Sequence, residues 1–221
     1  MRILAALAIA SVASLPMLVQ AEHLGRNSYK SGSSMYMFGG LSASKFDFEE
    51  GDLRYSFGDG SLSNARIDNE SSALRFGFGF GISPELGLEL GYVDLGTLTA
   101  SAFSDGSQFV NNGYSTGRVD LDGDADGVFL GLNLHTPLHE QVGLFARFGV
   151  YSWEFEGTVE DSSRKGDFLV DGADPYIGVG ARFNLAENAS IQLAYDHYVM
   201  DDDKSLKTSV DTISVDIVLR F

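Results

Sequence analysis

The motif with the clearest chemical spacing is DLDGDADG, residues 120–127. Asp122, Asp124 and Asp126, with Gly127 behind them, match the opening of a calcium-binding loop, where alternate carboxylates wrap a hard cation. The match fails later. The twelfth position is Asn133 instead of a bidentate Glu, and the flanks read as strand instead of helix. The plainer reading is a solvated acidic loop end. The metal chemistry this leaves is a weak Ca2+ or Mg2+ site on Asp120, Asp122, Asp124 and Asp126, with no other cofactor implied. A second acidic cluster, DDDK, runs from Asp201 to Lys204.

Nucleophilic and acid–base sets are sparse. The four histidines are His23, His135, His139 and His197. His197 has no serine two residues on, and Asp196 beside it points to the opposite face of a strand. No Gly-x-Ser-x-Gly elbow and no phosphate-cradling loop occurs. These features point to a protein that is not an enzyme. With no cysteine there is no disulfide framework and no thiolate metal site. The net charge of −16 argues against nucleic-acid partners.

The elements that carry these residues are read from alternation. In SALRFGFGFGISPELGLELGYVDLG, residues 72–96, Leu74, Phe76, Phe78, Phe80 and Ile82 fall on one face, opposite Arg75, Gly77, Gly79 and Gly81. The pattern resumes after a turn at Ser83-Pro84-Glu85, with Leu86, Leu88, Leu90 and Tyr92 opposite Gly87, Glu89 and Gly91. Eight such runs occur. The first spans roughly Met35 to Phe48, and its outer face is ambiguous. The others are this hairpin, 127–136, 142–157, 175–184, 189–199 and 211–221. Short turns (83–85, 136–141, 184–188) alternate strictly with long connections near 49–70, 97–126, 157–174 and 200–210. An even-numbered antiparallel meander closed into a barrel gives this arrangement, with four long loops at one end and both termini at the other.

The solvent follows from the glycines, 26 in all. A water-facing strand has no need of Gly at every second position, since Gly weakens strands. The interior of an eight-stranded barrel needs small residues, because it barely holds side chains. The charges Arg75, Glu89, Arg147, Arg182, Asp196, Asp216 and Arg220 all lie on the Gly-rich face, in both signs, so they can pair in a lumen. Aromatics near strand ends (Tyr92, Tyr151, Trp153, Phe183, Tyr195, Tyr198, Phe221) suit interfacial girdles. The expected fold is an all-β, eight-stranded up-and-down transmembrane barrel over 35–221. Residues 1–21 read as a signal peptide: Arg2, an apolar run, and a Val19-x-Ala21 cleavage site. Residues 22–34 read as a short periplasmic segment.

At VGLFARFGVYSWEF and GARFNLAENASIQLAYDHYV the chain resembles the transmembrane domain of the OmpA family, with an inward Arg147, then Gly149 and Trp153. Its end, DTISVDIVLRF, resembles the outer-membrane assembly signal, with Ile217, Leu219 and the terminal Phe221 alternating. The resemblance implies a Gram-negative outer-membrane location, periplasmic termini and outer loops. It also implies recognition by the barrel-assembly machinery and a lumen blocked by charged pairs, with Glu89 to Arg147 or Arg182, and Asp216 to Arg75 or Arg220. The family's C-terminal peptidoglycan-binding domain does not follow Phe221 here, so no cell-wall tether is carried over. Expected partners are outer-membrane lipid, lipopolysaccharide bridged by divalent ions, and an unidentified extracellular ligand, with the protein a monomer. The expected function is envelope structure and surface contact through acidic loops. The alternatives are a small-solute channel and a lipid A-modifying enzyme.

Overall fold

A computed structural model describes residues 35–111, 113–136, 141–202 and 206–221. The expected signal peptide, the 22–34 segment, His23, His139, Asp203 and Lys204 lie outside the described residues. The described chain forms β1 (Met35–Phe46), a short helix α1 (Glu50–Ser56), β2 (Leu62–Asp68), β3 (Glu70–Ser83), β4 (Leu86–Ser104), β5 (Gly117–His135), β6 (Val142–Glu160), β7 (Lys165–Ala186), β8 (Ala189–Asp201) and β9 (Lys207–Arg220). All pairings are antiparallel. Eight strands close a ring in the order β1-β3-β4-β5-β6-β7-β8-β9 and back to β1. The ninth, β2, lies in the β1–β3 connection and pairs with the outer half of β4, above the stretch that β3 occupies. No helix among the described residues is long and apolar enough to cross a membrane.

The short turns lie where alternation predicts them, at 84–85 and 187–188. The long connections do not. Strands β4, β5 and β6 have 19 residues each and β7 has 22, although about 9–11 tilted residues span a bilayer core. The expected loop 97–126 is therefore mostly strand, and only 105–116 is irregular apart from a 3-10 turn at Phe109–Asn111. The expected loop 157–174 shrinks to 161–164, and 200–210 shrinks to 202–206.

The reason is an inversion along each strand. On β5 the outward face carries Val128, Leu130 and Leu134, all about half exposed. Continuing outward from Val128 it carries Asp126, Asp124, Asp122 and Asp120, while Val119, Leu121 and Ala125 turn inward and are buried. β6 changes at the same level. Val142, Leu144, Phe148 and Val150 face out below Ser152, and Glu154, Glu156 and Glu160 face out above it. The lower half is a lipid-type barrel with a belt of exposed apolar side chains, far larger than a water-facing surface tolerates. The upper half is a water-type barrel, polar outside and apolar inside.

The parity of β1 is resolved. Met35, Met37 and Leu41 face out, and Tyr36 and Phe38 face in. Three aromatics expected at the girdle are instead inside: Tyr151, Trp153 and Tyr198 are 0%, 1% and 1% exposed. They share the parity of the inward Arg147, Gly149 and Asp196, and the barrel wall enforces it.

Candidate functional site

The lumen is built in layers, and glycine sets its geometry. Arg147 on β6 and Asp196 on β8 both stand opposite Gly178 of the strand between them. Arg75 on β3 and Asp216 on β9 both stand opposite Gly40 of β1. A Cβ at Gly178 would lie 1.9 Å from Asp196 Oδ1, and one at Gly40 would lie 2.3 Å from Asp216 Oδ1. Each glycine clears the path for a charged pair to meet across an intervening strand. Tyr36 reaches over Gly79 in the same way, and its hydroxyl donates to Glu89 Oε1 at 2.9 Å.

The central layer is a balanced quartet. Arg147 grips Asp196 through Nε and Nη2, and Arg75 Nη1 donates to the same carboxylate at 3.4 Å. Asp216 lies 4.0 Å from Arg75 Nε and 3.8 Å from Arg147 Nη1. All four side chains are 0–1% exposed. Two cations and two anions at this spacing are the arrangement that buried charges require. The Arg75 guanidinium is also 5.0 Å from the Phe38 ring centre and 5.2 Å from that of Phe129.

Of the seven charged residues that the sequence places in the lumen, these four meet. Glu89 does not pair with an arginine. It accepts from Tyr36 and from Asn133 Nδ2 at 2.6 Å. Arg182 and Arg220 sit at the short-turn end and do not reach Asp216. Arg220 donates to Asn184 Oδ1 (2.9 Å) and Ser190 Oγ (3.0 Å). The partner that sequence reasoning missed was Asp196, although it stood on the correct face.

Outward of the quartet, aromatics replace charges. Tyr176 stacks on Tyr198 with ring centres 5.5 Å apart, Tyr151 meets Tyr198 edge-on at 5.2 Å, and Phe129 meets Tyr176 at 5.5 Å. Above them Trp153, Phe155, Phe46, Phe48, Leu95, Leu98 and Met200 form one buried cluster, and Leu53 of α1 packs into it from the top. Glycines again face the rings directly: Gly77 opposite Phe38, Gly91 opposite Phe129, Gly149 opposite Tyr176 and Gly172 opposite Trp153.

The outer surface of this half is acidic. Asp120, Asp122, Asp124 and Asp126 are not clustered around a common point. They form a row on one face of an extended strand, where successive side chains on a face stand about 6.6 Å apart. Among the described residues no group of three or more His, Asp or Glu is arranged to hold a metal. Instead the row meets other carboxylates across the sheet: Asp126 faces Asp94 and Glu154, Glu154 faces Asp171, Asp124 faces Glu156 and Asp120 faces Glu160. Arg118 bonds Asp120 (2.7 Å), and Lys165 lies 3.8 Å from Glu160.

Two aspartates brace the loop tips. Asp59 accepts from the Tyr114 backbone N–H at 2.7 Å and from Ser61, tying the first connection to the second. Asp161 accepts from the backbone N–H groups of Ser115, Ser163 and Arg164. Desolvation pushes the Asp161 carboxyl up, but these donors together hold it down at about 2.

His197 faces outward, its Nδ1 2.7 Å from Asp211 Oδ1, which also accepts the Tyr195 hydroxyl. Ile217 and Leu219 lie on the lipid-facing side of β9, and the N–H of Phe221, just past the strand, donates to Met35 O, stitching the chain end to β1.

Known barrels share this fold. The Yersinia pestis attachment invasion locus protein Ail, in complex with the heparin analogue sucrose octasulfate, superposes with a TM-score of 0.51 at 14% identity, covering 86% of this chain and 99% of that one. Neisserial surface protein A gives 0.52 at 11%, over 86% and 99%. OprG of Pseudomonas aeruginosa gives 0.52 at 15%, over 86% and 96%. No curated protein is similar enough in sequence to match. The family model for the OmpA-like transmembrane domain matches residues 32–221, a span that includes the whole described barrel. The chain belongs to the OmpA-like transmembrane-domain family and is an outer-membrane β-barrel.

Proposed function

We propose that this protein is a non-enzymatic, non-conducting barrel, a monomer that presents a rigid acidic surface outside the cell. The observation that carries the reading is the filling of the lumen. A quartet of paired charges is followed outward by aromatic and aliphatic packing up to Leu53 of α1. A porin lumen is polar and wide. This one is polar in its inner half and mainly apolar above it. The contact surface is the wall of β4–β7 and the braced tips over it, whose carboxylates favour a cationic partner. The heparin analogue bound by Ail is a polyanion, and an equivalent ligand would be repelled here. Divalent ions condensed loosely on this wall would let it stand among lipopolysaccharide phosphates.

Planar-bilayer recording tests the proposal. The folded protein is expected to give no discrete conductance steps, and steady ohmic steps from the wild type would refute it. The alternative of a lipid A-modifying enzyme predicts an altered lipid A mass spectrum in a deletion strain. The proposal predicts none.

A further inference from the structure

We infer that the short-turn mouth of the lumen binds a small tetrahedral oxyanion of the phosphate or sulfate class, held by Arg182. Arg182 is on the inward face of β7 and is 3% exposed. Its Nη2 donates to Thr136 O at 3.2 Å, and its buried Nε has no hydrogen-bond partner. Among the described residues it forms no ion pair, whereas Arg75 and Arg147 in the same lumen each meet two carboxylates. Among the described residues, the charged side chain that acts on it is Arg220, of like sign. A buried cation without an anionic partner is costly.

Arg182 lines an open-sided cleft at the mouth of the lumen together with Tyr36, Asn133, His135, Gln192 and Arg220. Guanidinium forks match oxyanions bidentately, and the Gln192 and Asn133 amides add neutral donors. Glu89 stands deeper, with Oε1 occupied by Tyr36 and Asn133. Because the cleft is inside the ring of strands, the anion comes from the aqueous phase at the short-turn end and not from a lipid headgroup. The inference does not depend on whether the lumen conducts.

The test uses the protein folded in lipid nanodiscs. Inorganic phosphate, and separately sulfate, is titrated in chloride buffer of fixed ionic strength, with calorimetry and the thermal midpoint as readouts. Saturable binding and a rising midpoint are expected. Arg182→Gln is expected to weaken binding about tenfold or more, the loss of charge-assisted hydrogen bonds. Without phosphate its midpoint should equal or exceed that of the wild type, because a lone buried charge has gone. Arg118→Gln, on the outer wall, should bind as the wild type does. The inference is overturned by a midpoint that follows ionic strength alone or by unchanged binding in Arg182→Gln. If Arg182→Gln does not fold, Gln192→Leu decides: weaker binding supports the site, and unchanged binding overturns it.

Discussion

Replacing Asp196 by Asn should be among the most damaging isosteric changes in this protein. The carboxylate is 0% exposed, takes two hydrogen bonds from Arg147, and takes one from Arg75 at 3.4 Å. Its loss leaves two buried guanidiniums with Asp216 as the one carboxylate within 4 Å among the described residues, at 3.8 and 4.0 Å. Breaking a buried ion pair by removing one partner costs about 3–5 kcal/mol, and because two cations lose a partner here, the upper half of that range is expected. Guanidinium unfolding of the micelle-bound barrel measures it. Trp153, the single tryptophan, is a convenient probe, buried and bonded through Nε1 to Asp174 at 2.8 Å. Replacing all four charges together by apolar residues of similar volume should cost much less than Asp196→Asn alone, since the desolvation penalty disappears with the charges. A loss below about 1 kcal/mol for Asp196→Asn would refute the claim that the quartet is a mutually required unit.

Three further expectations follow from the same geometry. Glu154, flanked by Asp126 and Asp171, should stabilise the barrel when changed to Gln, by about 0.5 kcal/mol at low salt, the gain shrinking as salt screens the wall; equal gains at low and high salt would contradict this. Asp161, held near 2 and so below its unfolded value, contributes stability that is complete above about pH 4. That contribution is lost as pH falls toward 2, so the amide shifts of Ser115, Ser163 and Arg164 should titrate together near pH 2 and not near pH 4. Gly79→Val would place a Cβ 1.9 Å from the Tyr36 ring and lift it off Glu89. It should cost about 1–3 kcal/mol, whereas Gly51→Ala, in open space on α1, should be neutral or mildly stabilising on the same denaturant curve.

The lower half of the barrel was legible because lipid and lumen demand opposite chemistry on alternating positions. Phe76, Phe78 and Phe80 against Gly77 and Gly79 admit no other assignment once glycine is read as interior. The upper half was not legible by the same test. At Asp126 and Val128 the outward row changes from acid to hydrocarbon without a change of parity, so a scan for apolar outward positions stops there and reads the rest as loop. The signal was present: Val119 and Leu121 alternate with Asp120 and Asp122, as in a soluble strand. Tyr151 and Trp153 were sent to the girdle although Arg147 and Gly149 fix their parity inward. Charge partners were out of reach for a different reason. Which Arg meets which Asp depends on the stagger between strands, and only the register shows that Gly178 and Gly40 each stand between a matched pair.

That stagger bears on what the outer half can do. If 97–126 were a floppy loop, ordering it on a partner would cost entropy, and recognition would be adaptable. Here Asp120, Asp122, Asp124 and Asp126 are held by ladders on both sides, from Ser104↔Gly117 along β4 and from Glu160 along β6. The carboxylates are therefore fixed in rows, and the cationic partner proposed above would meet a surface already organised. The cost is repulsion between facing acids, which the apolar filling beneath them, from Trp153 to Leu53, offsets. Stability in the outer half thus comes from the same inward side chains that fill the interior of the barrel. Opening a pore by cutting back Trp153, Phe155 or Leu53 would loosen the acidic wall as well, so conduction and a rigid outer contact surface oppose each other in this fold.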